Sequence, residues 1–219
     1  APGRRPRPPT PPQNALEHPR RAAAAHGPTV AVRAPLAAGA RVDVRDRHRR
    51  TPLLRAALRD HVPAARALLA AGADPNAQDD RSDSPWLVTG VTGSVAMMRA
   101  LLPAGPDLRL TDRYGGTALI PAAERGHVPY VRAVLDETAI DVDHVNRLGW
   151  TALLEAVILG DGGAAHQKVV ALLLAAGADP ELPDPYGRTA LHHAERHGLT
   201  EIAALLRRAG SRRVLHGAA

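Results

Sequence analysis

The chain repeats one pattern of hydrophobic and polar positions about every 33 residues. Each copy opens with Thr or Ser before hydrophobic residues at helical spacing, and most copies close with a Leu-Leu pair and a glycine. The copies start at Thr51, Ser84, Thr117, Thr151 and Thr189. A period of this length is typical of stacked helix pairs, because each pair buries its hydrophobic face only against its neighbours. The pattern therefore predicts an all-α solenoid.

Signals inside each copy predict where the helices begin and end. The opening Thr or Ser is a preferred N-cap residue, and Pro63 and Pro129 suit the first turn of a second helix. A glycine, which adopts the left-handed conformation easily, is expected to end the second helices. These glycines are Gly72, Gly105, Gly177 and Gly210. The segments between copies are predicted to form hairpin tips at residues 112–115, 146–149 and 184–187.

The repeat divides the chain into three parts. Residues 1–12 are half proline and also contain arginine, which predicts a disordered Pro/Arg-rich arm. Residues 13–211 form the repeat domain, and residues 212–219 form a C-terminal tail. The domain contains about six units, with approximate bounds 13–45, 46–78, 79–111, 112–145, 146–183 and 184–211.

The Thr-Pro-Leu-like starts and the Leu-Leu-x-x-Gly-Ala-Asp ends resemble the ankyrin repeat over about residues 13–211. The resemblance implies helix-turn-helix units with β-hairpin fingers. It also implies a concave surface, made of fingers and first helices, where family members mostly bind other proteins. The last three units are similar to a bacterial ankyrin subgroup without an established activity, on the stretch 146–163.

The chain departs from this repeat pattern at several positions. Arg49 and Ser82 stand where the pattern has the finger glycine, so those two fingers must adopt another turn or bear strain. Pro35 and Pro103 fall within predicted second helices, where proline removes a hydrogen bond. Unit five has about five extra residues around 160–167, between its two helices.

Polar side chains converge on the predicted concave face of the last three units. The residue four places after each Thr faces this surface, and the set includes Glu155 and His193. Glu124 lies diagonally across from Glu155, because adjacent helices are about 10 Å apart. A carboxylate beside an imidazole can exchange protons near neutral pH. One hypothesis therefore makes Glu155 a general base, with His193 as its acid partner and Glu124 nearby.

The same region has the residue types that protein interfaces favour. Aromatic and charged side chains are expected to surround the Glu155 position as binding residues. They are Trp150, Tyr114, Tyr186, Arg125, Arg196 and His197. His192, which occupies the usual His position of the repeat, is predicted to bond backbone near its finger.

Charge and composition restrict the class of partner. The formal net charge is +6, but nine arginines lie in residues 1–21 and 207–219, so residues 22–206 carry about −2. This distribution argues against nucleic acid as the partner. No cysteine is present, the histidine spacing predicts no metal site, and no hydrophobic run approaches the length of a membrane span. We expect a cytoplasmic protein without a cofactor, as a monomer or weak oligomer.

Three functions are consistent with these observations. The first is a binding module that recognises a protein partner on its concave face. The alternative is a cofactor-free acid–base enzyme, of the dehydratase or cyclase type, holding a small molecule against Trp150 and the tyrosines. The third is anion or nucleic-acid contact through the arginine-rich ends.

Overall fold

A computed structural model describes residues 41–216, with side chains as far as Ser211. Within this range it contains ten α-helices and a 3₁₀ turn at Leu102–Ala104. The helices are α1 Pro52–Leu58, α2 Val62–Ala70, α3 Leu87–Thr92, α4 Val95–Leu101, α5 Leu119–Glu124, α6 Val128–Glu137, α7 Ala152–Ile158, α8 Ala164–Ala175, α9 Ala190–Arg196 and α10 Thr200–His216. The predictions for residues 1–12, for Pro35 and for unit one before residue 41 lie outside the described residues.

The helices form two rows that run through units two to six. The first helices α1, α3, α5, α7 and α9 contact one another in that order, and the second helices α2, α4, α6, α8 and α10 form the other row. The core between the rows is aliphatic, and Leu53, Leu119 and Leu153 occupy the same buried position in three units. Each helix pair thus buries its hydrophobic face against its neighbours, which confirms the predicted all-α solenoid.

Each finger is a five-residue turn, and no strand occurs between residues 41 and 216. We use "finger" for residues 46–50, 79–83, 112–116, 146–150 and 184–188. In each, the first residue donates from its backbone N–H to the carbonyl of the fifth, and the fourth donates back to the carbonyl of the first. The first side chain, Asp or Asn, accepts from the backbone amides of the third and fifth residues. The fingers are therefore hairpin-like, but they are closed by a side chain rather than by strand pairing.

The fingers of units two and three keep this turn although they lack its glycine. The fourth finger residue has φ between 75° and 77° in the three fingers with glycine. Arg49 and Ser82 occupy the same position with φ of 59° and 60°. A side chain in the left-handed region costs energy because its Cβ crowds the following carbonyl. These two fingers therefore keep the same turn as the others and bear the strain, rather than adopting another turn.

Unit three differs from the other units in α3 and at Trp86, which directly precedes this helix. Trp86 replaces the leucine of the other units and is fully buried. Four residues later, on the same helix face, Gly90 lies so close to Ala118 that a Cβ would stand 1.8 Å from its carbonyl oxygen. Thr89 also bonds to the hydroxyl of buried Tyr130 at 2.7 Å. The absent side chain at Gly90 thus lets α3 lie directly against the Ala118 backbone of unit four.

Most of the predicted helix ends are correct, although α3 begins two residues later and α5 one residue later, relative to the opening Ser or Thr, than the other first helices. Hydroxyls of Thr51, Ser84, Thr151 and Thr189 accept the expected backbone N–H. The buried hydroxyl of Thr117, in contrast, finds no partner among the described residues. Pro103 lies in the 3₁₀ turn that follows α4. The predicted stop at Gly210 is wrong, because α10 continues to His216 and enters the predicted tail.

Candidate functional site

The predicted site residues lie on the inner surface, which we define as the fingers together with the first-helix side that faces them. On each first helix this side includes the residues four and seven places after the opening Thr or Ser. The seventh-place residues are Leu58, Val91, Glu124, Ile158 and Arg196, and all are at least partly exposed. The buried leucines of the same helices face the stack instead. Exposed side chains on this surface therefore vary between units while the packing positions stay similar.

Glu155 on α7 is held against its own finger. Its Oε1 accepts a 2.7 Å hydrogen bond from the side-chain amide of Asn146, the first finger residue. Both side chains are buried, and only 6% of Glu155 is exposed. Burial is the main cause that raises the pKa of Glu155 to about 7, and the negative charge of Glu124 adds to it. At neutral pH this carboxyl is therefore close to half protonated.

His193 on α9 makes the equivalent contact in unit six. Its Nε2 lies 2.9 Å from Oδ2 of Asp184, the first residue of that finger. Burial pushes the pKa of Asp184 upward, but hydrogen bonds from the Arg188 amide, from His193 and from the Tyr186 amide outweigh it. The net pKa of Asp184 is lowered, so this carboxyl is ionised. His192 is exposed, and the bond from its ring to backbone that was predicted near the finger is not found between residues 41 and 216. His193 contacts the finger instead, through the side chain of Asp184.

Glu155 and His193 therefore have separate hydrogen-bond partners, although they occupy the same repeat position in adjacent units. Each bonds to the finger residue nine places earlier in its own unit. The repeat position is filled by a carboxyl with an amide partner in unit five, and by an imidazole with a carboxylate partner in unit six. Both side chains were expected on the concave face, whereas Asn146 and Asp184 were not expected as their partners.

Glu124 and Arg125 form the polar edge of the site at the end of α5. The Arg125 guanidinium donates to Oε2 of Glu124 at 3.0 Å and to the carbonyl of Pro121 at 3.4 Å. Both groups act on Glu155, since the charge of Glu124 raises its pKa and that of Arg125 lowers it. The structure thus brings Glu124, Arg125 and Glu155 into one electrostatic group.

The three predicted aromatic residues lie on three consecutive fingers. Trp150 is half-buried, and its backbone N–H donates to Oδ1 of Asn146. Tyr114 and Tyr186 occupy the third finger position, and 54% and 80% of their areas are exposed. A guanidinium lies over each tyrosine ring, with Arg113 4.5 Å from the centroid of Tyr114 and Arg188 5.5 Å from that of Tyr186. The tyrosines are therefore available to a ligand, unlike the more enclosed Trp150.

Arg196 and His197 end α9 at the far side of the site. Both are exposed, and the His197 ring meets the His193 ring at an angle of 63° with centroids 6.2 Å apart. The structure thus brings His197 close to His193.

His166 is a residue with a clear role that the sequence analysis missed. Its Nε2 lies 2.8 Å from the backbone oxygen of Glu124, and its Nδ1 lies 2.7 Å from Asp161 in the inserted loop. His127 makes the matching contact one unit earlier, at 3.2 Å from the oxygen of Val91. The insertion places His166 inside α8, so its equivalence to His127 is hidden in the sequence spacing.

Neither a membrane span nor a metal cluster is found between residues 41 and 216. Every helix of this range is too short or too polar to cross a membrane. The same range holds no group of three or more His, Asp or Glu side chains placed to bind one metal ion.

Comparison with family models and known proteins gives one consistent result. The model described as "Ankyrin repeats (3 copies)" matches residues 88–184, and that of a single "Ankyrin repeat" matches residues 48–80 and 186–214. The ankyrin repeat protein YahD of Escherichia coli (strain K12) is 49% identical over 81 residues, which cover 37% of this chain and 40% of YahD.

Two crystal structures are similar over most of their length. An ankyrin repeat domain from Acinetobacter baumannii AYE is 48% identical with a TM-score of 0.81, and the match covers 89% of this chain and 98% of that domain. The ankyrin repeat protein EF0377 is 42% identical with a TM-score of 0.74, and the match covers 76% of this chain and 84% of that protein.

Proposed function

The chain belongs to the ankyrin-repeat family, and we propose that it is a binding module that recognises a protein partner on its inner surface. Ankyrin repeats generally act as protein-interaction modules, which makes this the expected class of function. The partner would contact the fingers and the exposed ends of the first helices in units four to six.

One observation supports the proposal most strongly. Positions that face the stack are occupied by similar hydrophobic residues, whereas the seventh-place positions change from Leu58 to Glu124 to Arg196 along the stack. Stacking requires only the hydrophobic positions. The variable seventh-place residues therefore offer a partner a different side chain in each unit. Exposed Tyr114 and Tyr186, beside arginines, add the residue types that contribute most to binding energy at interfaces.

Acid–base catalysis by Glu155, His193 and Glu124 stays a prediction, and no observation favours it over binding. In the proposed module Glu155 and His193 hold their fingers in position through Asn146 and Asp184. The partner would contact, or lie next to, the remaining predicted binding residues, which are Arg125, Arg196, His197 and Trp150.

A cross-linking experiment tests the proposal. The full chain carries a photo-cross-linker at Arg196 and is mixed with a lysate of its source organism, and cross-linked proteins are identified by mass spectrometry. Because Arg196 is itself substituted in the test variant, the cross-linker is moved to Tyr186 for the comparison of variants. The double variant Arg125→Glu and Arg196→Glu then places two negative charges on the inner surface where the parent chain has positive ones. Its matched control, Arg66→Glu and Arg132→Glu, makes the same charge change on exposed positions of α2 and α6.

We expect one protein to be captured by the parent chain and the control, and to be lost from the inner-surface variant. Capture that survives the inner-surface variant but is lost from the control would contradict the proposal, because the binding surface would then include the second helices.

A further inference from the structure

The third positions of three consecutive fingers form one continuous exposed strip. We use "fingertip strip" for these third residues together with the arginines beside them, namely Arg113, Tyr114, Arg147, Leu148, Tyr186 and Arg188. Arg113 and Arg188 are half-buried, and the other four are exposed. Tyr114, Leu148 and Tyr186 are 54%, 53% and 80% exposed. In each finger an arginine lies one or two residues from the exposed hydrophobic side chain. Each finger therefore contributes one hydrophobic and one cationic side chain to the strip.

Direct contacts between fingers make the strip continuous. The backbone N–H of Arg147 donates to the carbonyl of Tyr114 at 2.9 Å, and its guanidinium donates to the carbonyl of Arg113 at 2.6 Å. On the other side Pro185 packs on Gly149, where an added Cβ would lie 2.5 Å from the proline Cγ. The three fingers are thus neighbours in space and are held in a common row.

The strip carries three arginines, and the two acids of the same fingers, Asp112 and Asp184, are hydrogen-bonded within their own turns. Oδ1 of Asp112 accepts the amides of Tyr114 and Gly116, and Oδ1 of Asp184 accepts those of Tyr186 and Arg188. These carboxylates face their own fingers. The preceding finger, in contrast, carries Asp80 and Asp83, which end the positive strip at unit three.

The spacing of the fingers selects the shape of an acidic ligand. Neighbouring units of packed helices are about 10 Å apart. A polyproline II segment has three residues per turn and rises about 3.1 Å per residue, so every third side chain recurs on one side about 9 Å further on. An extended β-strand would place every third side chain on alternate sides. A polyproline II segment therefore repeats its acids at about the spacing of packed units, with Arg113 and Arg147 at the second finger position and Arg188 at the fifth.

We propose that the fingertip strip binds an acidic polyproline II segment of the partner, with a carboxylate at every third residue. The carboxylates pair with Arg113, Arg147 and Arg188, and the residues between them pack on Tyr114, Leu148 and Tyr186. Polyproline II segments usually bind surfaces lined by aromatic side chains. They lose little conformational entropy on binding, because the segment is already extended. This inference rests on the proposed function for the location of the partner, and it adds the chemistry of the partner.

A set of synthetic peptides tests the inference on the full chain. The probe is a fluorescein-labelled (Pro-Pro-Glu)4 peptide, and fluorescence anisotropy measures its binding at low salt. A peptide of the same composition, with four prolines, four glutamates and four prolines in blocks, tests the spacing. A (Pro-Pro-Lys)4 peptide tests the sign of the charge.

The protein variants are matched for net charge. Arg113→Gln, Arg147→Gln and Arg188→Gln are combined in the fingertip variant. The control combines Arg66→Gln, Arg132→Gln and Arg208→Gln, which are exposed positions on second helices. A third variant, Tyr114→Ser with Tyr186→Ser, removes the aromatic contacts and keeps the charge. Circular dichroism verifies that each variant is folded.

We expect (Pro-Pro-Glu)4 to bind about tenfold more weakly to the fingertip variant, with the control within about twofold of the parent. The block peptide and the tyrosine variant should also lose affinity, and (Pro-Pro-Lys)4 should not bind. Equal losses in the fingertip and control variants, or equal binding of the block peptide, would overturn the inference. The inference would also be overturned if a captured partner still bound the fingertip variant but no longer bound the variant with Arg125→Glu and Arg196→Glu. In that case the proposed function would still be supported.

Discussion

The side-chain amide of Asn146 donates to Oε1 of Glu155 at 2.7 Å, and this bond joins the finger of unit five to its first helix. The amide is a suitable partner for Glu155 because it can donate to the carboxyl in either protonation state. Asp184 and His193 form the same link in unit six, with the polar groups exchanged. The inner surface of the last two units is therefore supported by two versions of one contact, and the two versions respond differently to pH.

Glu155→Gln should raise stability at neutral and alkaline pH. The folded chain keeps a proton on Glu155 up to about pH 7, whereas the ordinary pKa of a glutamate carboxyl is 4.5. The unfolded chain therefore releases this proton first, and stability falls as pH rises from about 4.5 to 7. We expect the variant to gain roughly 1–3 kcal/mol over the parent at pH 8 and almost nothing at pH 4. Urea unfolding across this range measures the difference.

The exposed carboxyl of Glu181 supplies the control for that measurement. Glu181→Gln removes the same negative charge from a side chain that is open to water, and the effect of Glu155→Gln is compared with it at each pH. If Glu155→Gln changes stability equally at pH 4 and pH 8, the buried carboxyl is not the group that titrates.

The contact of unit six should be transferable to unit five. Asn146→Asp alone places a second carboxyl against Glu155 and removes the donor, which we expect to cost about 1–3 kcal/mol at pH 7.5. Adding Glu155→His recreates the pair seen at Asp184 and His193, and it should recover at least half of that loss. A double-mutant cycle based on urea unfolding measures the coupling between the two positions. Simple additivity of the two single changes would show that the pair does not form in unit five.

The sequence was sufficient for the stack but not for the contacts inside the site. Helix pairs and most caps follow from local signals, namely Thr, Pro and Gly at fixed places in each unit. Glu155 and His193 were predicted to pair because they are neighbours across units. Their actual partners lie nine residues earlier, at the finger position that also binds two backbone amides. Sequence periodicity locates both positions, but the direction in which a side chain bonds depends on the folded turn.

Arg49→Gly and Ser82→Gly should each stabilise the fold. Both residues have φ near 60° at a finger position where three other units have glycine. Relief of the left-handed conformation is worth about 1–2 kcal/mol, and the greater freedom of glycine in the unfolded chain removes about half of this. We therefore expect a gain of about 0.5–1 kcal/mol for each change, measured by thermal or urea unfolding.

A neighbouring residue of the same finger shows whether this gain comes from the turn. Arg81 directly precedes Ser82 and does not have positive φ. Arg81→Gly adds freedom to the unfolded chain without relieving strain, so it should lower stability by up to about 1 kcal/mol. Equal effects of Arg81→Gly and Ser82→Gly would contradict the strain argument.

His166 and His127 allow the same inter-unit bond to be compared in two environments. Each ring bonds to a backbone oxygen of the preceding unit, but only His166 is buried and also contacts Asp161. Asp161 has a lowered pKa, caused mainly by the Gly163 amide and then by His166, so it is ionised. The buried His166 ring thus makes one contact with each of its two nitrogens. His166→Ala should therefore cost about 1–3 kcal/mol and His127→Ala less than 1 kcal/mol, measured by urea unfolding at pH 6. Equal losses would show that neither burial nor the inserted loop strengthens this link between units four and five.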